Sequence, residues 1–323
     1  MTTPGMQVLK ERLAIIDSVV PAGSEIAFLG YPTYLNVGDL LIDQGSELFF
    51  RSRRYKVRAR YSDKYCWQLL QQRKLPRFRE TVILVLQGGG NFGDLYGMHQ
   101  PTREAIVRNY PRNRIVLFPQ TAFFESEENL ETSASIFRQH PDLHLFARDP
   151  VSADLLQRFS KNVQLCPDMA HMLWGELPTH SGGSEPLYLM RSDKEAASWQ
   201  QALDCPRPID WKDLCSEWDL FVSKQRMKQW ETFNANAPLR LLPSRWYWNR
   251  HARQLVWRAV SRFAAHRSVT TSRLHGHLLA CLMGIPNTLL DNSYGKNQRY
   301  YETWTFRVAG TALGLGLTQT SFS

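Results

Sequence analysis

Short apolar runs alternate with stretches of helical periodicity along most of the chain. EIAFLG (25–30) reads as a strand that stops at a glycine. DLLIDQGSELFFRSR (39–53) repeats its apolar residues at helical spacing, with Asp39 placed as an N-cap. KVRARYS reads as a second strand and KYCWQLLQQRK as a second helix. TVILVLQGGG (81–90) is a buried strand running into three glycines. RIVLFPQTAFF (114–124) and LHLFARD (143–149) are further strands, the latter followed by the helix PVSADLLQRFS, and NVQLCPD (162–168) is another strand. This alternation predicts an α/β protein with mostly parallel strands and helices on both faces.

HSGGSEP (180–186) is small, polar, glycine-rich and closed by proline, and reads as a linker. PLYLMRSD opens a second α/β series after it. The stretch 205–250 is rich in tryptophan and charge and shows no clear period. The series resumes with SVTT, the apolar helix LHGHLLACLMG and the strand IPNTLLD. The expected architecture is two Rossmann-like domains, 1–179 and 180–323, with a central cleft.

At 323 residues with 43% hydrophobic content, the chain can bury one large or two moderate cores. The net charge of +9 suggests an anionic partner (nucleic acid, an acidic membrane surface or a phosphorylated substrate), and a basic surface without a special partner explains it equally well. RSRRYKVRAR (51–60) holds six Lys/Arg and no acid, but no nucleic-acid-binding signature accompanies it, so nucleic acid is not expected. Five cysteines without a C-x-x-C pair argue against a disulfide framework or zinc finger and fit a reducing compartment. The first residues suggest an amphipathic helix rather than a signal peptide, and no apolar run reaches the ~18 residues of a membrane span. The expectation is a cytoplasmic protein, with peripheral membrane contact through charge.

In open parallel sheets, ligands bind beyond the C-terminal ends of strands. Four such ends carry polar signatures. YPTYLNVGD (31–39) and QGGGNFGD (87–94) each contain N-x-G-D, which places Asn36, Asp39, Gly89, Gly90, Asn91 and Asp94 where amides and carboxylates can hold sugar hydroxyls; turn formation and capping explain the same residues equally well. Neither loop is a P-loop or a clean dinucleotide fingerprint. ARDPVS (147–152) puts Arg148 just past a strand, where it could clamp an anion or pair with a neighbouring acid. SRLHGH (272–277) puts Arg273 and His275 at the strand–helix corner, an anion clamp beside a proton donor, while His277 reads as structural. No third ligand at recognisable spacing supports a metal pair.

N-x-G-D, GGG-x-x-G-D, ARDPVS, CPDMA, LMRSDKE, SRLHGH and DNSYGKN occur in this order between Ile26 and Trp304. Together they resemble the polysaccharide pyruvyl transferase family, in particular its exopolysaccharide-biosynthesis branch. The resemblance implies two Rossmann-like domains similar to the GT-B glycosyltransferases. It also implies transfer of pyruvate from phosphoenolpyruvate to two hydroxyls of one sugar as a cyclic ketal. Arg273 would bind phosphoenolpyruvate and His275 would be the general acid. A second arginine would fall on Arg148 or its rival Arg191; Ser272, Asn292 and Lys296 are further donor-site candidates, Lys296 either adding a positive charge or standing as a solvated helix-flanking lysine. Asn36, Asp39, Gly89, Gly90, Asn91 and Asp94 would face the acceptor, which could be lipid-linked. No cofactor or metal is expected. The competing readings are a GT-B glycosyltransferase using a nucleotide sugar and a non-catalytic carbohydrate-binding protein.

Overall fold

The computed structural model describes residues 4–179, 182–203, 205–237 and 241–314. Two parallel sheets organise the chain. The first has seven strands: β1 (Glu25–Tyr31), β2 (Lys56–Ser62), β3 (Ile83–Leu86), β4 (Gly89–Gly93), β5 (Ile115–Phe123), β6 (Leu143–Ala147) and β7 (Val163–Leu165). Their order is β2-β1-β3-β5-β6-β7, with β4 pairing β5 above the end of β3. The chain winds outward from β1 to β2 and then returns to β3 on the other side, so the order reverses between β1 and β3. The second sheet has four strands, β8 (Pro186–Leu189), β9 (Ser268–Thr271), β10 (Asn287–Leu290) and β11 (Thr311–Gly314), in the order β11-β10-β9-β8. This sheet winds in one direction only among the described strands.

The strands are those the sequence foretells, apart from β4 and β11, the latter lying beyond the last expected strand. A glycine-rich segment carries little strand propensity. It is held as one because it lies hard against β5: a Cβ at Gly93 would sit 1.7 Å from the Phe123 carbonyl oxygen. Helix Val37–Ser52 begins two residues before the expected start. Its cap is Asn36, whose side chain accepts from the Gly38 amide, and not Asp39, which lies in the first turn and accepts from Asn36 Nδ2 at 2.8 Å. The stretch without clear period folds as short helices, a π-turn (Val222–Arg226) and the long helix Ser244–Ala264. Helix Pro150–Gln157 follows β6 as expected, and Asp149 caps it, its side chain accepting from the Ser152 amide. His180 and Ser181, at the start of the expected linker, lie outside the described residues.

One apolar cluster runs across both sheets. It joins Ile26 and Phe28 of β1, Leu40, Leu41 and Phe49 of helix Val37–Ser52, Leu189 and Val269 of the second sheet, and Leu278 and Leu279 of helix Leu274–Met283. A second cluster, built on Leu84, Leu117, Phe137 and Phe159, fills the other face of the first sheet. Registers align the strand ends. Leu29 of β1 faces Leu86 of β3, and Thr271 of β9 faces both Leu189 of β8 and Leu289 of β10. The loops leaving these strands therefore emerge side by side.

Candidate active site

The aligned ends surround a cavity of about 320 Å³. From the first sheet come Tyr34, Asn36 and Asp39 after β1, Gly90 and Asn91 on β4, and Arg148 after β6. The second sheet supplies Arg191, Asp193 and Glu195 after β8, Arg273 and His275 after β9, and Lys296 after β10.

His275 stands where the two sheets meet. Its Nε2 lies 3.3 Å from Asp168 Oδ2, which also accepts from Arg148 Nη1 at 2.5 Å. Burial would raise the Asp168 carboxyl, but His275 and Arg148 hold it well below its ordinary range, so it stays ionised. The ring of His275 packs on the start of helix Val37–Ser52. A Cβ at Gly38 would fall 2.7–2.9 Å from its ring and Cβ atoms, so only glycine admits the imidazole here.

The cations on the second sheet form an ion lattice. Arg273 is bidentate to Asp210 (2.7 and 2.6 Å) and donates to Asp193 at 2.8 Å. Arg191 donates to Asp193 at 3.1 Å and to Glu195 at 2.6 Å, while its buried Nε–H has no acceptor among the described residues. Lys296 pairs with Glu195 and is pushed down to about 8, by burial first and by Arg191 second. Burial would raise Glu195, but Lys296 and Arg191 hold it low. Asp193 is the solvent-facing member, with a 40% exposed side chain against 7–9% for the two arginines it bridges. Across the cavity, burial raises the Asp39 carboxyl, with His275 and Tyr34 opposing.

Several comparisons bear on this arrangement. The family model described as Polysaccharide pyruvyl transferase matches residues 36–294. EpsO of Bacillus subtilis (strain 168), provisionally named a pyruvyl transferase, is 38% identical over 312 residues, covering 94% of this chain and 93% of EpsO. The chain belongs to the polysaccharide pyruvyl transferase family. Pyruvyl transferase 1 of Schizosaccharomyces pombe is 29% identical over 299 residues, 87% of this chain and 69% of the yeast protein. A crystal structure of an uncharacterised protein from Klebsiella pneumoniae covers 98% of this chain and 100% of its own with a TM-score of 0.61 at 20% identity, which shows a shared fold. As a family member, the protein is a pyruvyl transferase enzyme.

Within this pyruvyl transferase, Arg148, Arg191, Arg273, His275 and Lys296 converge on the cavity together with Asn36, Asp39, Gly90 and Asn91. Ser272 lies behind the wall, where its hydroxyl accepts from the Arg191 amide. Asn292 donates to Glu195 and accepts from the Lys296 amide, so both are placed to position cavity residues. Gly89 lies beside Asp39 without lining the cavity. Asp94 points elsewhere: its carboxylate accepts from the amides of Glu125 and Ser126 and from Asn129, bracing the start of helix Glu127–Arg138. His277 is buried between Asn287 and Thr305. The acids Asp168, Asp193, Glu195 and Asp210, with Tyr34, Tyr96 and His99, escaped the sequence reading. Three of the acids sit inside the quoted segments CPDMA and LMRSDKE, and the signal available was that buried cations at a corner require nearby carboxylates.

Proposed function

We propose that this enzyme transfers pyruvate from phosphoenolpyruvate to two hydroxyls of one sugar residue, forming a cyclic ketal during exopolysaccharide biosynthesis. The observation that carries the reading is the gathering of Arg148, Arg191, Arg273 and Lys296 around His275 in one cavity. A donor with both a phosphate and a carboxylate needs more than one cationic clamp, and its enol carbon needs an acid. Asp193, held between Arg191 and Arg273, marks a position that suits an anion, and the donor displaces it there.

In this reading His275 protonates C3 of phosphoenolpyruvate, Asp168 stabilises the imidazolium, and C2 becomes electrophilic. A sugar hydroxyl oxygen bonds to C2 and its proton passes to Asp39, whose raised basicity suits it to the task. The C2–O bond to phosphate breaks, the second hydroxyl closes the ketal, and its proton leaves with the phosphate. Asn36 and Asn91 orient the acceptor, which is lipid-linked at the cytoplasmic face of the membrane. The architecture belongs with the two-Rossmann GT-B arrangement, divided near 179/180, as two parallel sheets with facing strand ends suggest. No cofactor takes part.

Thermal unfolding with phosphoenolpyruvate, and separately with nucleotide sugars, tests the donor. Phosphoenolpyruvate is expected to raise Tm by mass action. His275→Gln is expected to keep that shift while phosphate release in the presence of acceptor falls about 10²–10⁴-fold. Stabilisation by a nucleotide sugar alone, with none from phosphoenolpyruvate, would overturn the reading in favour of glycosyl transfer.

A further inference from the structure

Helix Ser244–Ala264 has two faces of different use. Trp248, Ala252, Leu255, Val256, Ala259 and Phe263 are buried in the core shared by both sheets. On the opposite face Trp246, Arg250, Arg253 and Trp257 follow at spacings of four, three and four, which places them on one stripe about 16 Å long. All four are exposed, the tryptophans at 66% and 51%. The helix contains no acidic residue. Two other arginines of the helix are engaged, the largely buried Arg245 with Asp43 and Glu47 and the exposed Arg258 with Asp219. Arg250 and Arg253 have no ion pair among the described residues. The fold therefore spends neither the tryptophans nor these two charges.

We propose that this stripe docks the enzyme on an anionic lipid surface. Tryptophan has an apolar body and a polar N–H and settles at the headgroup level of a bilayer, and guanidinium groups between two such anchors pair with lipid phosphates. Charge complementarity selects this occupant. A second copy meeting the same stripe across a two-fold axis would press Arg250 and Arg253 against their own counterparts. The docking unit is also tied to the cavity. Trp211 stacks on Phe263 of this helix with centroids 6.0 Å apart, and Trp211 follows Asp210, the bidentate partner of Arg273. The inference concerns where the enzyme sits and stands apart from the identity of its donor.

The test is co-sedimentation of the full chain with phosphatidylcholine vesicles with and without phosphatidylglycerol, read alongside tryptophan fluorescence. Binding to the anionic vesicles with a blue shift is expected, weakening as salt is raised. Trp246→Ala/Trp257→Ala and Arg250→Glu/Arg253→Glu, both on exposed positions that leave the core intact, should each lower partitioning at least tenfold. Circular dichroism confirms that both variants are folded. No binding to anionic vesicles would overturn the proposal, as would binding unchanged in both variants. So would a dimeric mass in solution that these variants abolish, which would assign the stripe to self-association.

Discussion

On the first-sheet wall the cavity meets glycine, amide and carboxyl groups: Asn36, Asp39, Gly90 and Asn91, with one cation, Arg148, spent on Asp168. On the second-sheet wall it meets Arg191, Arg273 and Lys296, interleaved with Asp193, Glu195 and Asp210. The first wall is shaped by close backbone approach and the second by charge. The difference teaches that cations gathered at a site need not be free. Each cation of the second wall already has an acid, and an incoming anion has to compete with the partner that is easiest to move. That partner is Asp193, the exposed one.

Breaking the first wall should cost most at its buried pair. Asp168→Asn leaves Arg148 charged in the interior, and a loss of about 3–5 kcal/mol in urea-denaturation stability is expected. A loss under 1 kcal/mol would mean that water reaches Arg148. Gly38→Ala places a methyl group against His275, and the displaced imidazole should cost on the order of 10² in kcat. Gly97→Ala, with nothing within 4 Å, should leave turnover unchanged in the same assay.

The second wall is sharpened by pH. Lys296 loses its proton near pH 8 in the folded protein and near 10.5 in the unfolded chain. Phosphoenolpyruvate affinity should fall up to tenfold per pH unit above about 8. Over the window from 8 to 10.5 the unfolded chain binds the extra proton, so this group's contribution to stability rises with pH. Lys296→Arg should flatten the affinity profile measured by calorimetry. The smallest effect is expected at Asp193: removing its charge with Asp193→Asn should tighten phosphoenolpyruvate a few-fold, since exposed pairs are worth about 1 kcal/mol or less. Weaker binding in that variant would make Asp193 a ligand-orienting group instead of a competitor.

Much of the sheet framework was legible because a parallel strand buried on both faces is a continuous apolar run, as ILVL is, while the partly buried SVTT was legible from its β-branched residues. β4 was not, because its glycines report a distance to β5 and not a propensity. The SRLHGH corner was legible since polar residues at a strand end have few structural reasons to be there. Asp210 was illegible: it lies 63 residues before its partner Arg273 in a segment without period, and only the fold brings them together. The cap at Asn36 was missed because N-x-G-D offers two acceptors three residues apart, and the geometry at Gly38 decides between them.

The apolar cluster that runs from β1 through helix Val37–Ser52 into the second sheet has a consequence for engineering. The halves of this enzyme are not cassettes. A chimera that kept the residues up to 179 and borrowed the remainder from a 29% identical relative would graft one half of a jointly packed interior onto a foreign mate. New acceptor preference is better sought loop by loop at the strand ends, with the shared interior left as it is.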